Sequence, residues 1–278
     1  MSSLTRTLLP LMDGCLGKSE NQWVMKKCDV VTGLPTAWKL IQAGRLPGEE
    51  NMRRDREALE SQRDQRALPE VRLYRWAEPT LSYGRLQSKE TAEAMATALG
   101  ARAVVQRPTG GGMVFHESDL SFSVVWRRDQ PGLPPCIKNV YRLFHEAIAG
   151  EFREKGMDVS LHPSDGLRRS LPGACYQEFS QDDILWRGQK LVGGALRVTS
   201  WGRLYQGNFK MPSLQDKENW EERIINAFAS KVFLLPPGAA LATPLSTSES
   251  CGFLPMGNRG GPEEAHGSPP PGRLHSLL

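Results

Sequence analysis

The sequence predicts an α+β fold in which a mixed β-sheet is flanked by helices. Short runs of apolar residues, alternating or continuous and bounded by turn residues, are typical of strands, and they recur from residue 38 to residue 207. Between them lie segments whose apolar residues have helical spacing. The strands cluster unevenly among the helices and do not alternate with them regularly, which favours α+β.

The first half of the chain is predicted to contain two helices among short strands. The charged segment 49–66 has sparse apolar positions and predicts a surface helix. The segment 89–99 predicts a helix that ends at Gly100, because glycine readily adopts the left-handed conformation that terminates helices. The strands predicted in this half cover residues 38–41, 71–76, 103–106 and 120–126.

The second half is predicted to contain two further helices and a β-hairpin. Apolar residues at helical spacing predict a helix over residues 138–155, again followed by a glycine, Gly156. Residues 183–192 predict a hairpin that turns at residues 187–189. The remaining predicted elements are strands over 157–161 and 202–207 and a helix over 219–230.

These elements define one predicted domain over residues 37–232. Residues 1–36 show no clear period and predict an irregular leader. Proline, glycine and serine dominate the segment 233–278, and such a composition buries little apolar surface. We therefore expect a disordered tail there.

Composition and charge exclude several classes of protein. No apolar run approaches the ~20 residues of a membrane span, and no signal-peptide cleavage site follows the N-terminal apolar stretch. The net charge of +4 is mild, and no stripe of Lys and Arg interleaved with aromatic residues indicates nucleic acid. The 5 cysteines are scattered without metal-ligand spacing. We therefore expect no disulfide framework and no metal site, and we assign the chain to the reducing cytoplasm.

The most informative segment is a glycine triplet, Gly110, Gly111 and Gly112, between two predicted strands. Ordered glycine costs entropy, so a triplet there indicates that some group approaches the backbone closely. Arg107 and His116 flank the turn with a cation and a titratable ring. The segment has neither the lysine of a P-loop nor the GxGxxG spacing of a dinucleotide site. Because Gly-rich turns are often structural, the residues alone leave a structural role and a binding role open.

A second signal is Lys190, which lies in a strand of otherwise apolar and small residues. A lysine on the exposed edge of a hairpin is the ordinary interpretation. The small residues Gly193, Gly194 and Ala195 favour a ligand site, because they clear space beside the lysine.

Cys175 lies in a loop ahead of this hairpin. An inert, buried side chain is the usual interpretation of a single cysteine. A thiolate is also the nucleophile of acyl transfer, and a nearby ammonium lowers the pKa of a thiol. The residues alone leave both interpretations open.

Taken in order, these segments resemble the lipoate–protein ligase and octanoyltransferase superfamily, which shares a catalytic fold with biotin ligases. The resemblance covers about residues 37–210. The segment 107–116 is close to the signature of that superfamily, and the segment 183–195 resembles its lysine block. Residues 38–59 and 75–87 resemble its opening blocks. The ordered combination is specific, whereas no single segment is.

The resemblance implies an octanoyltransferase that moves octanoate from acyl carrier protein to a protein lysine. In the cysteine-dependent branch the cysteine lies shortly before the lysine block, which is the place of Cys175. The resemblance thus implies Cys175 and Lys190 as catalytic residues and requires no metal or other cofactor. The implied partners are octanoyl-acyl carrier protein and an acceptor, either a lipoyl domain or glycine-cleavage H protein. We expect a monomer.

Two alternatives stay open within the same superfamily. One is an ATP-dependent lipoate–protein ligase, which uses ATP and Mg²⁺ and holds an acyl-adenylate with the lysine. The other is a non-catalytic acyl-binding member of the fold. The segment 233–278 does not resemble the accessory domain of many ligases, which favours the transferase. The resemblance implies that the acyl group and its donor are bound by Arg107, Thr109, Gly110, Gly111, Gly112, Met113, Val114, Phe115, His116, Gly193, Gly194 and Ala195.

Overall fold

Twelve strands and four helices make up most of the residues that the computed structural model describes, namely 17–19, 22–27, 36–117, 119–163, 180–210, 219–228 and 232. The helices are α1 (Gly48–Ser61), α2 (Lys89–Leu99), α3 (Ile137–Glu154) and α4 (Trp220–Ala227). The strands are β1 (Gly17–Ser19), β2 (Gln22–Lys27), β3 (Thr36–Leu46), β4 (Glu70–Trp76), β5 (Thr80–Tyr83), β6 (Ala103–Gln106), β7 (Val114–His116), β8 (Leu120–Arg127), β9 (Val159–Leu161), β10 (Ile184–Trp186), β11 (Gln189–Val198) and β12 (Gly202–Phe209).

Within the described residues the strands form two sheets. The large sheet has nine strands in the order β1-β2-β3-β4-β8-β12-β11-β10-β9, and the small sheet has the order β6-β5-β7. In the large sheet β3 and β4 run parallel and the other neighbours are antiparallel. In the small sheet β5 is parallel to β6 and antiparallel to β7. These mixed sheets with flanking helices confirm the predicted α+β class.

The ends of the helices follow the signals in the sequence. The side chain of Ser88 accepts a hydrogen bond from the backbone N–H of Thr91 at 3.2 Å, which caps the start of α2. Gly100 follows the last turn of α2 with a φ of 70°. Only glycine adopts this left-handed conformation without steric cost, so the predicted end of the helix is confirmed.

Strand β8 supports packed helices on both faces of the large sheet. Val124 packs in one cluster with Phe144 and Ile148 of α3. Its neighbour Val125 packs in another cluster with Leu59 of α1. Successive side chains of a strand point to opposite faces, so α3 and α1 cover opposite faces of this sheet.

Helix α1 is more buried than the surface helix predicted for residues 49–66. Met52, Asp55 and Leu59 are fully buried, while glutamates and arginines form ion pairs on its exposed face. The helix ends at Ser61. The abundance of charges in this segment obscures its buried stripe in the sequence.

Strands also extend into the segment that the sequence predicted as an irregular leader. Strand β1 pairs with β2, and β2 pairs with β3, both antiparallel. The prediction is therefore wrong for residues 17–19 and 22–27, and β3 is longer than the predicted strand at 38–41. The predicted tail at 233–278 lies outside the described residues. None of the described helices combines the length and the apolar character needed to cross a membrane.

Candidate active site

The β10–β11 hairpin carries Lys190 into the interior of the protein. Arg187 and Gly188 form its turn with φ values of 51° and 73°, and Trp186 pairs with Gln189 across it. Two successive positive φ values are typical of a type I′ turn, whose twist matches that of the flanking strands. The predicted hairpin is confirmed. Lys190 is 7% exposed, so its interpretation as an exposed edge residue is wrong.

Lys190 forms a buried ion pair with Asp183. The distance between Lys190 Nζ and Asp183 Oδ2 is 2.7 Å, and both side chains are 2% exposed. The backbone N–H of Ser180 donates to the same carboxylate oxygen at 2.6 Å. Because separating the partners of a buried ion pair is costly, this pair holds the ammonium in one place.

Gly193 and Gly194 make room for side chains of the protein itself. A Cβ atom on Gly193 would lie 2.2 Å from Cε of Lys190. A Cβ atom on Gly194 would lie 2.1 Å from the hydroxyl oxygen of Tyr205. The space beside the lysine, which the sequence attributed to a ligand, is therefore filled in part by Lys190 and Tyr205.

A cleft opens beside Lys190. Its empty space, counted out to the solvent, is about 430 Å³, and the part that the centre of a water-sized group can occupy is about 40 Å³. Trp76, Val114 and Ala195 contribute apolar surface to its wall. The candidate residues that line it are Arg107, Val114, His116, Lys190, Gly193, Gly194 and Ala195. The lining residues that were not predicted from the sequence are Tyr74, Trp76, Ser121, Gln206, Gly207 and Asn208.

The glycine turn is packed against neighbouring parts of the chain. The guanidinium of Arg107 donates to the carbonyl oxygens of Gly110 at 3.1 Å and Gly112 at 2.6 Å. A Cβ atom on Gly84 would lie 2.1 Å from the carbonyl oxygen of Gly111. The close approach that the triplet indicates is thus made by Arg107 and Gly84.

Several candidate residues of the glycine turn and β7 do not line the cleft. Thr109, Gly110, Gly111, Gly112, Met113 and Phe115 are not among the residues that line the cleft. Their role in holding the acyl group stays a prediction.

His116 is held at both nitrogens of its ring. Nδ1 lies 2.7 Å from Asp119 Oδ2, which also accepts a hydrogen bond from Asn208 at 2.7 Å. Nε2 lies 2.7 Å from Ser82 Oγ, and the ring stacks on Trp76 with a centroid distance of 3.9 Å. Burial holds the pKa of His116 below its usual range. The neutral ring therefore donates to Asp119 and accepts from Ser82, and it forms a fixed part of the cleft wall.

Residues 47–216 match the family model described as the lipoyl protein ligase A/B catalytic domain. This range covers more than half of the 278 residues and includes every residue named above as lining the cleft. The chain belongs to this family. The resemblance inferred from the segments 107–116 and 183–195 is thereby confirmed.

Similar sequences in this family include octanoyltransferases. Octanoyltransferase LipM of Kyrpidia tusciae is 33% identical over 165 residues, which are 57% of this chain and 60% of that protein. Octanoyltransferase LipM of Bacillus subtilis is 27% identical over 187 residues, which are 65% of this chain and 67% of that protein. The chain therefore matches less than two thirds of the length of the Kyrpidia tusciae protein.

Solved structures of the family have the same fold. A crystal structure of lipoate-protein ligase A bound with ATP has a TM-score of 0.52 and 21% identity, and the match covers 69% of this chain and 84% of that one. A putative lipoate protein ligase from T. acidophilum with bound lipoic acid has a TM-score of 0.51 and 20% identity, with the same coverage. At these identities the similarity establishes the fold alone.

A buried polar network lies beside the cleft of this family member, and it was not predicted from the sequence. Asp55 of α1 accepts hydrogen bonds from Arg72 at 2.7 Å and from Gln206 Nε2 at 2.6 Å. The other end of the Gln206 amide accepts a hydrogen bond from Thr109 Oγ1 at 2.6 Å. Thr109 therefore ties the glycine turn to the large sheet. The sequence does contain a signal for this network. Asn51 and Asp55 are four residues apart and so lie on the same face of the helix, beside the buried Met52.

Some expectations for this family member stay predictions. Cys175 lies outside the described residues, and its catalytic role stays a prediction. Within the described part of the chain, no group of three or more His, Cys, Asp or Glu residues has an arrangement that could hold a metal ion. The monomeric state and the cytoplasmic location likewise stay predictions.

Mild acid is expected to destabilise the folded chain through its buried histidines. Burial lowers the pKa of His116 and of His145 in the folded state, whereas an unfolded histidine titrates near ~6.5. Below that pH the unfolded state binds more protons, so the free energy of unfolding falls as the pH falls, by up to about 1.4 kcal/mol per pH unit for each ring. Urea unfolding at several pH values between 7.5 and 5 measures this slope.

The variant His116→Gln is the control for this prediction. It removes one of the two buried rings named above, so the slope below pH ~6.5 should decrease. A slope equal to that of the unsubstituted protein would contradict the assignment of a depressed pKa to His116.

Proposed function

We propose that this chain is an octanoyltransferase of protein lipoylation. The observation that carries the proposal is the buried Lys190–Asp183 pair beside a cleft with partly apolar walls. The relatives named octanoyltransferase support it. A fixed ammonium next to a cleft of this kind suits the transfer of an apolar acyl group from a thioester.

In the first step the thiolate of Cys175 attacks the carbonyl carbon of the thioester in octanoyl-acyl carrier protein. A new C–S bond to Cys175 forms, the C–S bond to the carrier breaks, and the carrier sulfur leaves and takes up a proton. The positive charge of Lys190 stabilises the attacking thiolate, and its N–H donates to the leaving sulfur. Asp183 orients that ammonium through the 2.7 Å contact.

In the second step the ε-amine of a lysine on a lipoyl domain or H protein attacks the acyl-cysteine. An amide bond forms, the C–S bond to Cys175 breaks, and the amine proton passes to the released sulfur or to solvent. Trp76, Val114 and Ala195 would contact the acyl chain, whose burial supplies about 0.8 kcal/mol per CH₂ group. Neither step consumes ATP or needs a metal.

Incubation with octanoyl-acyl carrier protein in the absence of ATP tests the proposal. The protein should gain the mass of one octanoyl group, hydroxylamine should remove it, and peptide mapping should place it on Cys175. Addition of a lipoyl domain or H protein should then transfer the group to the acceptor lysine.

A parallel reaction with free lipoate or octanoate, ATP and Mg²⁺ provides the comparison. Acylation of the acceptor only in that reaction would instead indicate a lipoate–protein ligase, in which Cys175 is dispensable. Binding of octanoyl ligands without any transfer would indicate a non-catalytic member of the fold. Either result contradicts the proposal.

A further inference from the structure

Helix α3 buries a histidine that the proposed reaction does not use. His145 is 0% exposed, and so is its neighbour Tyr205 of β12. His145 Nε2 forms a short hydrogen bond with the hydroxyl of Tyr205, and His145 Nδ1 forms another with the backbone carbonyl of Asp182. Both ring nitrogens thus have partners inside the protein.

The two hydrogen bonds define the direction of each donor. A carbonyl oxygen only accepts, so Nδ1 of His145 carries the hydrogen and donates it to Asp182. Burial holds the pKa of His145 below its usual range and raises that of Tyr205 well above its usual range, so both groups are neutral. The hydroxyl of Tyr205 therefore donates to Nε2 of His145.

One end of this pair reaches the segment that precedes β10. Asp182 has a φ of 66°, a left-handed conformation that is uncommon for residues other than glycine. The hydrogen bond from His145 holds its carbonyl in that conformation. The next residue is Asp183, which binds Lys190. His145 therefore fixes the backbone beside the partner of the lysine.

The other end of the pair reaches β11. The hydroxyl of Tyr205 lies against the backbone of Gly194, where any Cβ atom would stand 2.1 Å from it. Gly194 follows Gly193, whose backbone lies against the side chain of Lys190. Tyr205 thus touches the strand that carries the lysine, at a position where only glycine permits the contact.

We propose that His145 and Tyr205 are positioning residues that fix Lys190 by holding its hairpin at two points, at Asp182 before β10 and at Gly194 in β11. Asp183 lies directly before β10 and Lys190 lies in β11, and the 2.7 Å distance between them depends on how these two segments lie. The His145–Tyr205 pair joins α3 and β12 to both of these segments through groups that carry no charge. The catalytic part of this inference rests on the octanoyltransferase function proposed above.

Hydrogen–deuterium exchange of the full chain tests the structural part. Tyr205→Phe removes one hydroxyl and leaves a buried ring nitrogen without its donor, so amides of residues 182–196 should exchange about tenfold faster. Phe144→Leu is the matched control, because Phe144 packs on Tyr205 with a centroid distance of 5.2 Å but forms no part of the hydrogen-bonded pair. It should destabilise the core without a selective effect on the hairpin. Equal protection of the hairpin in both variants would overturn the proposal.

Steady-state octanoyl transfer tests the catalytic part. In Tyr205→Phe, kcat per active site, counted from the acyl-enzyme burst, should fall about tenfold, while the KM for octanoyl-acyl carrier protein stays unchanged. Phe144→Leu should retain its kcat per active site. An unchanged kcat in Tyr205→Phe would overturn the positioning role. An unsubstituted protein that transfers no octanoate would instead refute the proposed function, and the exchange experiment would still decide whether the pair holds the hairpin.

Discussion

Lys190→Met is expected to lower the rate of octanoyl transfer by about 10²–10⁴-fold. Methionine is unbranched like lysine and fits beside Gly193, so the cleft keeps its shape while the ammonium is lost. In the proposed reaction Cys175 would then lack the cation that stabilises its thiolate, and the leaving sulfur would lack a proton donor. The measurement is the single-turnover rate of acyl-cysteine formation with octanoyl-acyl carrier protein.

The stability of the same variant separates the chemical role of Lys190 from its structural one. Lys190→Met leaves the buried carboxylate of Asp183 without its ammonium, which costs about 3–5 kcal/mol of unfolding free energy. Adding Asp183→Asn removes that charge, so the double variant should regain stability and remain inactive. If activity returned together with stability, Lys190 would have no chemical role.

Asp55→Ala is expected to lower the free energy of unfolding by about 3–5 kcal/mol. Arg72, 1% exposed, would keep a buried positive charge without its counterion. Ser123, which donates to Asp55 at 2.6 Å, and Gln206 would lose the same acceptor. Because Gln206 also binds Thr109, the loss should loosen the glycine turn as well. Urea unfolding followed by tryptophan fluorescence measures the change.

Glu60→Ala provides a matched control on the same helix. Glu60 pairs with Arg63 through side chains that are 51% and 57% exposed, and solvent screens such pairs strongly. The urea unfolding midpoint of Glu60→Ala should equal that of the unsubstituted protein within error. The double variant Asp55→Leu/Arg72→Met should recover part of the loss seen in Asp55→Ala, because both buried charges leave together. A loss in Glu60→Ala as large as that in Asp55→Ala would show that the burial of the pair is not the cause.

The elements that the sequence predicts well are those that neighbouring residues determine. Gly100 ends α2 through its own backbone conformation, and the hairpin at 183–192 turns at Arg187 and Gly188. These conformations depend on a few adjacent residues and hardly on the rest of the protein. Lys190 was recognisable for a similar reason, because a charged residue among small and apolar neighbours is a local feature of the sequence.

The contacts that the sequence does not predict join distant segments. Asp55 and Gln206 are 151 positions apart, and neither is unusual in its own segment. Arg107 next to a glycine turn was interpreted as a substrate-binding residue, yet its hydrogen bonds to backbone carbonyls depend on how the turn folds back. Strand pairing at the edge of the large sheet likewise orders part of the leader through partners elsewhere in the chain. Sequence patterns report the local preference of a residue and not the atoms that it meets.

The parallel pairing of β3 and β4 has a consequence for the evolution of the site. Helix α1 is the crossover between these strands, and such crossovers are right-handed in nearly all proteins because L-amino acids twist strands in one direction. Chirality therefore decides which face of the large sheet receives Asp55 and its ionic partner Arg72. The opposite face is left to α3, where most buried side chains are apolar and can be exchanged for one another, His145 and Glu151 being the exceptions. We expect these positions to diverge at different rates among relatives, slowly at the ionic residues and at His145, and faster at the apolar residues of α3.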